Sequence, residues 1–312
     1  MIRDVLVLGG GGFIGRHVVG ALAALGMHVT VPSRRRERAK HLILLPTVTV
    51  IEADINDRPT LRRLVAGRGA VINLIGILHG RRGGADFTHT HVELPRAIAA
   101  ACRDHDVRRL LHMSALGADP DAPSEYLRSK GVGENVILAA ADIASSVFRP
   151  SVVFGEEDRF LNLFSRLASV TPVLALAGAQ ARFQPVYVGD VARAFIAALE
   201  DRASFGKRYD LCGPSVYTLR QLVEYVCRVT GRKRAVIGLP DPLAYLQAWV
   251  LEHLPGPLMS RDNLLSMQVP SVCDCLLPFG IAATPLEAIA PYYLVPSGPR
   301  AGYAAFRDRA RR

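Results

Sequence analysis

The sequence predicts an α/β protein built on a doubly wound parallel sheet, with a smaller, mostly helical lobe toward its C-terminus. Three observations predict it. A buried-strand run, Val5-Leu6-Val7-Leu8, passes straight into glycines and then into an apolar helical pattern. Strand and helix patterns alternate to about residue 155, as helices covering both faces of a parallel sheet require. Beyond Gly155 the alternation stops and helical periodicity takes over.

The first element is the most informative. Gly9, Gly12 and Gly15 fall at the spacing G-x-x-G-x-x-G, with Phe13 and Ile14 between the last two at the start of the helical pattern. Glycines let backbone approach a pyrophosphate, and the amides of a helix N-terminus face its charge. A second strand over residues 27–31 closes a βαβ unit of about thirty residues. This context identifies a dinucleotide site of the Rossmann type; a plain strand-to-helix turn is the alternative.

The tip of the second strand bears on the cofactor. An acid there bonds the ribose 2′-hydroxyl of NAD, whereas an arginine accommodates the 2′-phosphate of NADP. The chain offers Ser33 and Arg34, and its first acid is Glu37. A guanidinium forks onto phosphate, with the Ser33 hydroxyl as a second donor. NADP(H) is the expected cofactor, and Arg35, Arg36 and Arg38 read as a solvated basic loop.

The alternation continues with a strand over 47–53, a helix over 59–66 and a strand over 70–75. Strand C-termini line the ligand crevice in such sheets, so Asp54, Ile55, Leu74, Ile75 and Gly76 are expected along the cofactor. Asp54 can accept from the adenine amino group or cap the following helix. Residues 79–91 read as irregular. His79, His89 and His91 fit a metal site poorly, because H-x-H lacks a paired carboxylate. A helix over 92–105 leads into a strand over 108–113.

That strand ends at Ser114, and Tyr126 and Lys130 open the next helix, running to about residue 141. Residues four apart share a helix face. An ammonium beside a phenol favours phenolate, which suits general acid–base work, and the Ser114 hydroxyl can hold a carbonyl. Nine tyrosines and four lysines in this chain give only about 0.1 chance Y-x-x-x-K matches. Lys130 is also one of just four lysines among 38 basic residues. Arginine cannot be tuned for this role.

Further on, helices are expected over 160–170, 191–200, 219–230 and 243–253, with a short strand at 184–188. Residues 208–212 return as a late strand of the main sheet. The nucleotide-binding unit is thus 1–155 plus 205–213, the lobe 156–295, and 296–312 a basic tail. The apolar stretch 239–258, containing Trp249, reads as lobe core in preference to a partner or membrane surface. Asp158 and Arg159 stand at the lobe junction, facing the cleft or forming an ion pair.

With 312 residues, half of them hydrophobic, the chain can bury a large core. No leading signal or membrane-length apolar run is visible. Cys102, Cys212, Cys227, Cys273 and Cys275 lack metal spacing and read as reduced thiols of a cytoplasmic protein. The net charge of +10 is spread through every element without a reader motif, which argues against nucleic acid. The local patch at Arg307, Arg309, Arg311 and Arg312 is a solvated terminus or meets anionic lipid.

The glycine loop with Ser114, Tyr126 and Lys130 resembles the extended short-chain dehydrogenase/reductase superfamily. The stretches SEYLRSKGVGENV (124–136), FRPSVVFGEEDRFLN (148–162), FQPVYVGDVARA (183–194), GPSVYTL (213–219) and IAATPLE (281–287) narrow the likeness. They resemble its atypical branch, which contains the nucleotide-binding accessory subunit of respiratory complex I and its bacterial relatives. The likeness covers about residues 3–290. It implies a tightly held NADPH, with Gly9, Gly12, Phe13, Ile14, Gly15 and Arg34 on the adenosine-phosphate half. It places Lys130 at the nicotinamide ribose and Pro150 to Val152 beside the nicotinamide. The usual asparagine of the fourth helix is replaced at Thr90-His91, which puts the proton relay in doubt. The expected function is therefore a structural or reporter NADPH protein linked to complex I or ubiquinone metabolism, peripheral to the inner membrane. An active NADPH-dependent reductase or isomerase of an apolar carbonyl or quinone is the alternative, and a redox-sensing binding module is a third reading.

Overall fold

Strands of near-continuous Val, Ile and Leu cannot leave either face in water, so helices must cover both. The computed structural model describes residues 2–80, 85–254 and 258–295. The chain runs through β1 (Asp4–Leu8), α1 (Phe13–Ala24), β2 (His28–Ser33), β3 (Val48–Glu52), α2 (Arg58–Val65) and β4 (Ala70–Asn73). A short α3 (Ala85–Thr88) and a π turn (His89–Glu93) lead into α4 (Leu94–Asp104), β5 (Arg109–Met113), α5 (Glu125–Leu138) and β6 (Ala144–Pro150).

The lobe then begins with β7 (Val153–Phe154), α6 (Phe160–Val170), β8 (Val173–Leu176), β9 (Arg182–Phe183) and β10 (Val186–Tyr187). The chain returns through α7 (Val188–Glu200) and β11 (Lys207–Leu211). It finishes with β12 (Tyr217–Thr218), α8 (Leu219–Val229), β13 (Ala235–Gly238), α9 (Asp241–Glu252), α10 (Arg261–Ser266) and α11 (Leu286–Leu294).

Seven strands form one sheet in the order β11-β6-β5-β4-β1-β2-β3, every neighbouring pair parallel. The order reverses between β1 and β4, which opens a ligand crevice at their C-terminal ends. Strand alternation sorts β1 to its two faces. Val5 and Val7 pack with Val18 and Leu22 of α1 and Phe195 of α7. Leu6 and Leu8 pack with Leu61 of α2 and Ile98 of α4. Val5, Leu6, Val7 and Leu8 are all fully buried, so the glycine loop hangs from a strand of the core.

Buried charges tie the sheet to its helices. Arg109 donates to the carbonyls of Leu199, Ala198 and Ala144 and to Ser146 and Ser204, closing the C-terminal end of α7 as a cation suits. Fully buried Glu134 accepts from Arg149 and Arg208. In the lobe, Phe154, Leu161, Leu222, Val226 and Leu286 form a separate core.

Several elements differ from expectation. Within the stretch expected to be irregular, residues 85–91 are helical, because His91 and Val92 are buried and continue the face of α4. The 184–188 strand shrinks to Val186–Tyr187, since α7 starts at Val188. Asp54 does not cap α2; Asp57 does, accepting the amide of Thr60 at 3.0 Å. Asp158 and Arg159 show no mutual ion pair: Asp158 is buried and accepts from the amides of Leu161 and Gly155 and the Tyr293 hydroxyl.

The apolar stretch 239–258 is a larger correction. Only Ala244 and Ala248 of α9 are buried, while Leu243, Tyr245, Leu246, Trp249 and Val250 are each 46–54% exposed. The small alanine face sits against the lobe, which turns the large side chains outward. The basic tail, 296–312, lies outside the described residues.

Candidate functional site

Residue 9 must turn the chain sharply after β1, and Gly9 does so at φ +82°, a left-handed conformation open to glycine. A β-carbon on Gly15 would collide with the carbonyl oxygen of Gly9 and lie 2.6 Å from the Cα of Gly10. A β-carbon on Gly12 would stand 3.2 Å from that same oxygen. Helix α1 therefore starts directly against the turn. Its N-cap, Gly12, has no side chain to offer, and its first turn carries no acid. The first amides, at Phe13 and Ile14, are left for an anion. These residues fit a dinucleotide pyrophosphate.

Arg34 follows immediately on β2 and is exposed. The Ser33 hydroxyl is engaged by its own loop, donating to the Arg35 carbonyl at 2.8 Å. Asp54 accepts from the amide and side chain of Asn56 through one carboxylate oxygen. Ile55 and Ile75 pack at the edge of one core layer and Leu74 at the edge of the other.

Lys130, Gly76 and His91 come together beneath the strand ends. The ammonium of Lys130 is buried and donates to the Met113 carbonyl at 3.1 Å. A β-carbon at Gly76 would stand 3.0 Å from that nitrogen and 3.6 Å from Nε2 of His91. Burial pulls Lys130 down to about 8, against a smaller opposing pull from Glu134. One carbonyl leaves further donors of Lys130 free for a ligand hydroxyl.

Tyr126 behaves otherwise than expected. Burial pushes its phenol up to about 12, so desolvation governs it. Its position is set from the lobe: Asp262 of α10 accepts the amides of Glu125 and Tyr126 at 2.6 and 3.1 Å. Ser114 is buried and its hydroxyl has no partner. Such an orphan is costly unless a ligand completes it. Tyr126, Pro150 and Val152 line one cavity together with Ala115, the neighbour of Ser114.

The three histidines part company. His89 meets Glu93 and Asn56, while His91 meets Ser129 and Ile77. Among the described residues no His, Cys, Asp and Glu cluster is arranged to hold a metal. Sequence reasoning passed over Asn73, His112 and Asp262. The side chain of Asn73 donates to His112 Nδ1 and accepts from the Ile75 amide, both at 3.1 Å. A polar residue inside a strand buried on both faces was the available signal for Asn73 and His112. Asp262 lies 136 residues from Tyr126 and had none.

A family model described as the NAD dependent epimerase/dehydratase family matches residues 5–212. The chain belongs to this family. Its members bind NAD(P), in keeping with the glycine loop, and the fold is that of extended short-chain dehydrogenases/reductases. The chain is 36% identical over 296 residues to the mouse (Mus musculus) protein named NADH dehydrogenase (ubiquinone) 1 alpha subcomplex subunit 9, mitochondrial. That match covers 90% of this chain and 77% of the relative. The ceramide reductase of Caulobacter vibrioides is 30% identical over 239 residues, covering 76% of this chain and 74% of that one. Among solved structures, UDP-glucose 4-epimerase of Thermotoga maritima superposes with a TM-score of 0.66 at 21% identity. It covers 76% of this chain and 86% of that one, a likeness of fold alone. No helix among the described residues is long and apolar enough to cross a membrane.

Proposed function

We propose that this family member holds NADP(H) and serves as a nucleotide-bearing accessory protein of the respiratory complex I type, peripheral to the inner membrane on its cytoplasmic side. The observation that carries the cofactor choice is Arg34. It stands exposed at the end of β2 with no acid at the strand tip, where a 2′-phosphate would sit. Gly9, Gly12, Phe13, Ile14 and Gly15 would cradle the pyrophosphate, and Ser33 and Arg34 the adenosine phosphate. Asp54 and Ile55 would border the adenine, with Leu74, Ile75 and Gly76 along the crevice. Lys130 would donate to the nicotinamide ribose, and Pro150 and Val152 would flank the ring. The buried Lys130 ammonium and the orphaned Ser114 hydroxyl support a nucleotide that completes the fold. The respiratory link draws on the likeness to the mouse subunit.

A second reading, NADPH-dependent reduction of an apolar carbonyl or quinone, is favoured by the cavity that Tyr126 lines. NADPH supplies a hydride when bound. Tyr126 would then be the proton donor, Lys130 its modulator and Ser114 the carbonyl anchor.

The test begins by denaturing purified protein and identifying the released nucleotide. Arg34→Glu should weaken NADPH at least tenfold more than NADH, and equal losses would refute the NADP assignment. Co-isolation with complex I from solubilised membranes supports the accessory role, and a protein never recovered with it counts against that role. NADPH oxidation by a quinone or carbonyl panel, abolished in Tyr126→Phe, would instead select the reductase.

A further inference from the structure

Between the end of β6 and the lobe lies a cavity of about 350 Å³, within the size range of small-molecule sites. It is lined by Tyr126, Pro150 and Val152 and by Leu163 of α6 and Leu251 of α9. Most polar side chains in the wall are already used. Gln247 is bonded to the backbone of Ala175 and Ala177. Ser151 donates to the Ser271 carbonyl, and Asn263 is held by Ser260 and the Leu78 carbonyl. His79 is one exception, its buried Nδ1 having no partner.

The cavity also reaches the surface. Leu78 and Leu258 line it and are 54% and 47% exposed. Leu251 and Gln247 project their helix into its wall, while Leu243, Leu246 and Val250 of the same helix are exposed. Apolar lining is thus continuous with an apolar helix face outside. A wall with most of its hydrogen bonds satisfied offers a ligand chiefly the removal of hydrocarbon from water.

We infer that this cavity binds the single unbranched hydrocarbon chain of a carbonyl-bearing lipid, its head toward Tyr126 and its chain running along α6 and α9. The carbonyl head and its placement beside the nicotinamide rest on the reductase reading proposed above; chain binding stands without them. Each methylene that enters the cavity is expected to raise affinity about fourfold. Gain should cease once the cavity is filled.

The test uses the full-length protein and straight-chain methyl ketones from hexanone to dodecanone, read by displacement of anilinonaphthalene sulfonate. The expected result is an affinity that climbs with chain length and then levels. Leu163→Trp, at a partly exposed position, should shorten the length at which it levels, with Leu251→Ala lengthening it. An affinity independent of chain length would overturn the inference. So would an unchanged length profile in a Leu163→Trp protein that melts like the parent. NADPH affinity is titrated in parallel: chain-length dependence without nucleotide binding would sink the proposed function and leave this site standing, whereas the reverse pattern would sink this site alone.

Discussion

His91 accepts the backbone N–H of Ile77 through Nε2 at 3.1 Å, so an imidazole from the π turn pins the strand-end loop beside Lys130. Its other nitrogen meets the Ser129 hydroxyl at 2.9 Å, and Ser129 donates in turn to the Tyr126 carbonyl. This network uses the neutral ring, protonated at Nδ1 only. His91 is thus committed to holding backbone.

The neutrality of that ring sets a pH dependence. Burial, then the charges of Lys130 and His112, lower His91 to about 2, and burial with Lys130 lowers His112 to about 3. Unfolded, both return to about 6.5. Below that value the unfolded chain binds protons that the folded chain refuses. The stabilisation is therefore complete above the unfolded value and is lost as pH falls toward the folded ones. Each histidine should remove up to about 1.4 kcal/mol per pH unit. Urea unfolding from about pH 7 to about pH 5 should show this slope, lowered by up to about 1.4 kcal/mol per pH unit in His112→Asn. A flat profile would contradict the buried network.

Lys130 works against the fold. Its folded pKa, about 8, lies below the unfolded value, so its favourable contribution exists only above about 10.4 and is lost as pH falls through 8. At neutral pH the buried ammonium is a net cost of up to about 3 kcal/mol. Lys130→Met should therefore stabilise the nucleotide-free protein by about 1–3 kcal/mol. The same change should weaken NADPH by tenfold or more. Thermal melts without nucleotide and NADPH titrations check the two halves; a destabilised apo protein would refute the account.

The legible parts of this chain were those where a local pattern has one physical cause. The glycine loop, the Val-Ile-Leu strands and the Tyr126–Lys130 face could be read because strand, turn and helix follow each other within a few residues. The return of residues 207–211 to the sheet was readable as a late β run. What stayed hidden depends on contacts made across the fold. The phenol of Tyr126 is governed by burial, which residue spacing does not report. Asp262 reaches α5 from α10, and no sequence pattern links those positions. In α9 hydrophobicity was visible but its direction was not, because Ala244 and Ala248 took the buried face.

That direction has a measurable consequence. Were α9 core, truncating its leucines would cost about 2–5 kcal/mol each. Leu243 and Leu246 are instead 51% and 54% exposed, and surface changes usually stay within about 0.5 kcal/mol. Leu243→Ser and Leu246→Ser should leave the urea midpoint nearly unchanged while reducing binding to lipid vesicles or hydrophobic resin. A loss of several kcal/mol would return α9 to the core.

Two glycines of α1 make a matched pair. At Gly15 a methyl group would strike the Gly9 carbonyl and the Gly10 backbone, neither of which can swing aside as a flexible side chain would. Seating it means moving α1 off the turn, at about 1–3 kcal/mol for overpacking, and the movement spreads the amides that face the anion. At Gly20, five residues on, a β-carbon meets nothing within 4 Å. There alanine improves helix propensity and should stabilise by about 0.5–1 kcal/mol. Gly15→Ala should thus lower the melting temperature and reduce nucleotide affinity by an order of magnitude or more, and Gly20→Ala should raise the first and leave the second unchanged. If Gly15→Ala bound NADPH like the parent, the contact between α1 and the Gly9 turn would not be what shapes the phosphate site.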